Sequence, residues 1–396
     1  MDPAGRRRSL SVLAAALVLS MTTWFSATAV VPQLRTEWSL STNAASWLTI
    51  AVQLGFVAGA LTSSLLNVAD VLPPRLVILL GAVGAALVNA GLALADGPRT
   101  GIPLRFATGF FLAGVYPPAL KLMATWYRTG RGLALGTLVG ALTLGSATPH
   151  LVNGLGGLDW RTVVYATSAL TATGGAIAYA AVRDGPFPFP RGAFDPRQSR
   201  LVFTQRGVRL ASLGYFGHMW ELYAMWAWFL VFFRAEAGGG ASAAYATFAV
   251  IGIGAVGCWV GGLLGDRWGR TRTTVLMMAV SGACALVAGA AAAGPEWLLL
   301  ALGLVWGFAV VADSAQFSTI VTELSDQAYV GTALALQLAV GFTLTVATIW
   351  LVPVLQDWVG WRWAFAFLAP GPALGIAAML RLRSLPEARR IAGGLG

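Results

Sequence analysis

Five ionisable side chains inside otherwise apolar runs of this 396-residue sequence draw attention first: Arg105, Lys121, His218, Glu221 and Asp313. A charge at mid-membrane costs at least about 2.5 kcal/mol on insertion scales, so such groups normally face a protein-lined cavity. His218 and Glu221 are three residues apart and share one helical face. A carboxyl group held away from water is least costly as the neutral acid, so Glu221 could take up and release a proton that His218 relays or stabilises. Two other readings of the pair stay open: a satisfied contact between helices, or two ligands of a divalent metal. Asp313, in Ala312-Asp-Ser-Ala-Gln316, could carry the proton, pair with Lys121 or Arg105, or bond a neighbouring helix. Lys121 is the only lysine; it either titrates in a cavity or snorkels to the headgroups from little more than a turn inside its helix.

Neutral groups accompany these charges. Trp24, Tyr116 and Trp220 could wall a solute cavity, with Gln53 and Gln316 as its neutral donors and acceptors. Plain helix packing is the alternative for each aromatic residue.

The elements that hold these residues must be membrane helices. The chain is 57% hydrophobic and 11% charged, whereas soluble chains average about 25% charged. Too little polar surface remains to solvate several soluble domains. The net charge of +10 comes from Arg in short clusters between apolar runs, which suits anchoring at a membrane face better than a nucleic-acid groove. Cys258 and Cys284 fall inside apolar runs, so neither a disulfide framework nor a zinc site is supported. No phosphate-binding loop appears and no cofactor is implied. An intramembrane enzyme would need paired catalytic groups in facing spans, and only Asp313 among the aspartates lies clearly within one.

A spanning helix needs about 20 apolar residues. Twelve such runs fall at about 10–32, 42–66, 74–95, 103–126, 132–154, 161–182, 209–233, 243–264, 273–293, 297–321, 329–354 and 362–381. The first is long enough to span and lacks a small-residue cleavage site, so it reads as a span and not a leader. The stretch 184–208, opening Asp184-Gly-Pro-Phe-Pro-Phe-Pro, is the one long polar break. It divides the chain into an N-terminal bundle (1–183), a central loop (184–208) and a C-terminal bundle (209–396). Nineteen Arg fall on the side of the termini and central loop and five on the other. That asymmetry predicts cytoplasmic termini in a multi-pass protein of the inner, cytoplasmic cell membrane.

The halves echo each other about 200 residues apart. Arg131-Gly-Leu-Ala-Leu-Gly136 parallels Val330-Gly-Thr-Ala-Leu-Ala335, and Asp159-Trp-Arg161 parallels Gly360-Trp-Arg362. Between the eighth and ninth runs stands Gly262-Leu-Leu-Gly-Asp266-Arg-Trp-Gly-Arg270-Thr-Arg272, with a reduced copy, Asp70 to Arg75, between the second and third. Arg105 and Gly109 match an R-x-x-x-G pattern in the fourth run. In the fifth run Gly145 and Pro149 stand apart.

With these features the chain resembles the major facilitator superfamily of secondary transporters. The resemblance implies an all-α membrane protein of twelve transmembrane helices in two pseudo-symmetric six-helix bundles. It also implies that spans one, four, seven and ten line a central cavity, so that Glu221, His218, Asp313, Lys121 and Arg105 would meet there around a solute and a proton. In the family the loop carrying Gly262, Asp266 and Arg270 acts as a latch, and Asp70 with Arg75 would be its N-terminal counterpart; simple anchoring of the helix end is the other reading. The implied function is alternating-access transport of a small solute coupled to H+ by a monomer, with mixed cavity charges favouring an organic anion or zwitterion. Drug or metabolite efflux, divalent-metal transport and a transport-dead sensor are the alternatives.

Overall fold

The computed structural model describes residues 3–66, 68–127, 131–155, 158–187, 204–325 and 330–396. Most of the central loop (188–203) lies outside the described residues, as does the side chain of Asp70. Among the described residues, all regular structure is helical, as lipid requires when each backbone N–H must be paired within its own segment.

The helices join into twelve spans. Span 1 is Pro3–Ser20 and Ser26–Ala29, continued past the membrane edge by Val31–Glu37; span 2 is Thr42–Leu65; span 3 is Pro74–Gly91 with a final 3-10 turn. Span 4 is Pro98–Leu112 and Tyr116–Ala124, span 5 Arg131–Gly154, span 6 Trp160–Ala181. Span 7 is Arg206–Ala237, span 8 Ala241–Gly252 with Gly254–Trp268, span 9 Arg270–Ala292. Span 10 is Glu296–Ala312 and Ser314–Leu324, span 11 Val330–Val359, and span 12 runs from Trp361–Ala364 through a 3-10 turn to Pro370–Arg383. Their even number returns the chain to the face it started from, here called the terminal face; the other is the far face.

Eight spans are long and apolar enough to cross a membrane by length and composition alone. Spans 1, 4, 6 and 7 fall short for physical reasons. Spans 1 and 4 are interrupted, span 6 is rich in Thr, Gly and Ala, and Tyr, Trp, His218 and Glu221 dilute span 7. In span 4 the break precedes Pro117 and Pro118, which fit a first helical turn because its N–H groups have no intrahelical partner. Span 10 breaks at Asp313, about 200 residues further on.

Packing repeats with the sequence. In the N-terminal bundle span 2 packs on 4, span 3 on 6, and span 1 on 5 and 6; the C-terminal bundle repeats this as 8 on 10, 9 on 12, and 7 on 11 and 12. The bundles meet through span 5 against 8 and span 2 against 11, a pair of interfaces that also exchange under the repeat. Small residues permit the closest approaches. A Cβ on Gly55 would lie 1.9 Å from Phe106 O and one on Gly109 2.0 Å from Val52 O, while in the other bundle Gly307 would meet Val250 O at 1.7 Å.

At the far face Glu37 ties span 1 to span 6. Its carboxylate accepts from Arg161 Nη2 at 2.6 Å and Trp160 Nε1 at 2.5 Å. The hydrogen bond from Arg161 foremost, and then that from Trp160, hold the Glu37 carboxyl below its ordinary 4.5.

Two outcomes follow. Gly109→Val costs about 1–3 kcal/mol by overpacking and lowers the melting temperature, while Gly97→Ala, with nothing within 4 Å, leaves it unchanged. The Glu37 contribution is whole above pH 4.5 and fades as pH falls through the lower folded value. Melting curves against pH should therefore show a loss below pH 4.5 that Glu37→Gln removes.

Candidate functional site

Arg105 is fully buried and faces the break in span 1. Its Nη1 donates to Thr23 O at 2.9 Å, Asn89 Oδ1 at 2.9 Å and Ser26 Oγ at 3.1 Å, its Nη2 to Trp24 O, and its Nε to Leu48 O at 3.4 Å. Residues 21–25 leave the helical ladder, so their carbonyls need outside donors, and the negative end of the preceding helix favours a cation there. Asn89 extends the contact to span 6 by donating to Ser168 Oγ at 2.9 Å. This clasp joins spans 1, 2, 3, 4 and 6 inside one bundle.

Glu221 occupies the corresponding place in the other bundle. Its Oε1 accepts from Trp306 Nε1 at 2.7 Å and its Oε2 from Ser281 Oγ at 2.8 Å. Trp306 in span 10 stands about 200 residues after Arg105 in span 4, and Glu221 a similar distance after Trp24. A donor from span 4 or 10 thus reaches span 1 or 7, with a polar residue of span 3 or 9 beside it. The sequence expectation that Arg105 and Glu221 meet at a central cavity is not met, because each turns into its own bundle and is fully engaged there.

His218 and Asp313 behave differently. His218 Nδ1 lies 2.9 Å from Asp313 Oδ1, with both side chains about 98–99% buried. Neither Asp313 oxygen nor His218 Nε2 takes part in a well-directed hydrogen bond. Asp313 sits at the break of span 10, where its side chain makes no capping bond to the next helix. Leaving a buried polar atom without a well-directed hydrogen bond costs about 1–3 kcal/mol or more.

Between the bundles lies a cavity of about 50 Å³. Spans 4, 5, 7, 10 and 11 line it, through residues including Tyr116, Val139, Met219, Leu222, Tyr223, Trp226, Ser314 and Phe342. None of its described lining residues carries a formal charge, so the mixed charge that suggested an anion lies elsewhere. The residues on either side of the charged ones reach it instead, Met219 and Leu222 flanking Glu221 and Ser314 following Asp313. Six buried rings interlock across the interface, Trp24, Phe25 and Phe56 from one bundle with Tyr223, Trp226 and Phe342 from the other, and the last three also line the cavity.

The loop motif forms a cluster at the terminal face. Arg270 Nη1 lies 3.2 Å from Asp266 Oδ1 and donates to Gln316 Oε1 at 2.9 Å, while its Nε and Nη2 donate to Glu323 at 2.9–3.2 Å. Glu323 in turn accepts from Ala392 N at 3.0 Å, which ties in the C-terminal segment. Asp266 abuts span 5 across the interface, where a Cβ on Gly132 would lie 2.5 Å from its Oδ1; Gly262 stands against Gly132 O. On the far face Trp350 Nε1 donates to Asn43 Oδ1 at 3.0 Å, joining spans 11 and 2. Both ends of the interface are therefore bridged.

The remaining expected residues separate. Tyr116 lines the cavity. Gln316 does not, since it is spent on Arg270 and on Gly261 O at 3.2 Å. Trp220 turns to span 12, donating to Phe367 O at 3.3 Å. Gln53 is fully buried with both amide atoms unpartnered. Lys121 is half-buried in the last turn of Tyr116–Ala124 and is not part of the cavity wall. Arg75 stacks over Tyr179 at 5.6 Å, and Asp70 lies outside the described side chains. Sequence reasoning missed Asn89, Ser281, Trp306 and Glu323; the offset of about 200 residues between Arg105 and Trp306 was the signal for the clasp.

The comparisons agree with this architecture. A sequence profile of the Major Facilitator Superfamily matches residues 13–310 and, a second time, 241–394. An uncharacterized 38 kDa protein in the 23S RNA operon of Thermoproteus tenax is 28% identical over 280 residues, 66% of this chain and 68% of that one. A bacterial homologue of the human lysosomal transporter Spinster, inward-facing and unoccupied, superposes with a TM-score of 0.72 at 16% identity, covering 98% of this chain and 100% of its own. A D-xylose-proton symporter superposes at 0.76, also with 16% identity, over 96% and 98% of the two chains. At such identities the solved structures speak for the fold, and the profile, which covers nearly the whole sequence, speaks for kinship. Twelve spans in two exchangeable bundles, with a cavity between them, are thus those of a multi-pass membrane protein of the Major Facilitator Superfamily, a family of transporters.

Proposed function

We propose that the chain is a secondary active transporter that moves a small solute through the cavity between its bundles by alternating access, driven by a proton gradient. In this reading residues 184–208 link an N-terminal unit (1–183) to a C-terminal one (209–396), and the Arg-rich terminal face lies in the cytoplasm of the cell's inner membrane. The protein works as a monomer, without a cofactor, and not as an enzyme.

The observation that carries proton coupling is Asp313. Its carboxylate is buried, accepts no well-directed hydrogen bond and lies 2.9 Å from His218 Nδ1. Ser314 and Ala315, which follow it, and Met219, which follows His218, line the cavity. A proton arriving at Asp313 changes its contact with His218, and the break in span 10 gives the backbone room to respond. Glu221 and Arg105, both saturated with partners, serve as fixed clasps around which each bundle moves as a unit. The Asp266–Arg270–Glu323 cluster acts as the terminal-face latch, since partly exposed pairs are individually weak and reversible. A protein of similar fold is a D-xylose-proton symporter.

In proteoliposomes under an imposed pH gradient, wild type accumulates its solute. Asp313→Asn equilibrates the solute without accumulating it, with gradient-driven uptake reduced at least about tenfold, while Glu221→Gln lowers the melting temperature instead. Undiminished accumulation by Asp313→Asn moves the coupling site elsewhere.

A further inference from the structure

We propose that the cavity takes an uncharged, ring-containing solute bearing an acceptor oxygen, held among the interfacial aromatic side chains by the indole N–H groups of Trp24 and Trp226. The proposal rests on the central cavity being the transport path and names the class of molecule that path accepts.

Charge is the first discriminator. The described wall offers the hydroxyls of Tyr116, Tyr215, Tyr223, Ser314 and Ser318 against Leu, Val, Met and Phe side chains, with no ammonium, guanidinium or carboxylate. An ion entering would give up its hydration without a counter-charge. A sugar would fare little better, because every hydroxyl around its ring would have to find a partner on a wall made mostly of apolar side chains.

The aromatic cluster supplies a positive criterion. Trp24 lies 4.8 Å from Phe56, 5.7 Å from Phe342 and 6.0 Å from Tyr223, and Phe25 stacks on Tyr223 at an interplanar angle of 10°. Trp24–Phe56 lies within one bundle, whereas the contacts with Phe342 and Tyr223 join the two bundles and must part whenever the bundles move apart. A flat ring inserted among them replaces ring–ring contacts with contacts of the same kind. The cavity of about 50 Å³ is small because these side chains fill the room a solute would take.

Hydrogen bonding fixes the acceptor. Trp24 Nε1 and Trp226 Nε1 are buried without partners, one contributed by each bundle, and so are both amide atoms of Gln53, one turn from Phe56 on the same face of span 2. By contrast, the indole of Trp228, two residues beyond Trp226, donates to Ile349 O at 2.9 Å. Donors left open at the cluster, beside a neighbour that is satisfied, await an acceptor from outside the protein. A ring carbonyl or ether oxygen matches them, and one that engages both bundles rewards closure around the solute.

The test is isothermal titration of the purified full-length protein with coumarin, coumarin-3-carboxylate and xylose, repeated on Trp24→Phe and Trp226→Phe, which keep a ring and delete the N–H. Coumarin binds saturably; the carboxylate and the sugar bind at least about tenfold more weakly; each substitution weakens coumarin about fivefold. Absence of saturable coumarin binding, equal or tighter binding of the anion or the sugar, or unchanged coumarin affinity in both variants overturns the proposal. If a variant fails to fold, the ranking of the three probes on wild type still decides. Coumarin binding without uptake into proteoliposomes supports the solute class and removes the transport reading, whereas uptake confined to charged solutes does the reverse.

Discussion

In a bilayer no water is at hand to satisfy a polar group, so each one buried in this protein must find its partner within the protein or go without at a cost of about 1–3 kcal/mol. That constraint sorts the polar interior into two populations. Arg105, Asn89, Glu221, Ser281 and Trp306 have their hydrogen bonds filled by neighbouring spans. Asp313, His218 Nε2, Gln53, Gln337 and the indoles of Trp24 and Trp226 do not. The first population holds bundles together. Of the second, Asp313 and His218 stand at the break of span 10, and the indoles of Trp24 and Trp226 belong to the aromatic cluster between the bundles.

The repeat makes this division more than a matter of single residues. Each bundle carries one clasp at equivalent places, yet with different chemistry. The N-terminal bundle answers a broken span 1 with a guanidinium on its freed carbonyls, and the C-terminal bundle keeps span 7 continuous and seats a carboxylate there between an indole and a hydroxyl. With the clasps saturated, what is left adjustable lies between the bundles. Glycine-lined contact of span 5 with span 8, from Gly132 at Asp266 to Gly154 at Tyr245, and the Trp350–Asn43 hydrogen bond join them, and the aromatic cluster lies between. Such a layout concentrates the weak contacts along the plane on which rocking would occur.

Much of this was legible in the sequence. Hydropathy is a local property, so all twelve spans, the two-bundle plan and the terminal-face motif follow from runs and spacing. What a run of apolar residues does not encode is the rotation of its helix. Glu221 and Met219 are two residues apart, yet one turns into the C-terminal bundle and the other into the cavity; a shift of that size in helical phase exchanges scaffold for site. Gln316 and Trp220 were misassigned for the same reason. Glu323 was invisible as a partner of Arg270 because the contact joins the ends of spans 9 and 10, 53 residues apart. At Asp313 a break in a helix coincides with a buried carboxylate that accepts no well-directed hydrogen bond.

The most direct test of the account is the melting temperature of two matched sets of variants. Arg105→Gln and Trp306→Phe each strip partners from a saturated clasp and should lower it. Gln53→Leu and Gln337→Leu each remove a polar group that has no partner; the account has them hold or raise the melting temperature while transport declines. Clasp variants that melt like wild type, together with glutamine variants that unfold early, would contradict it.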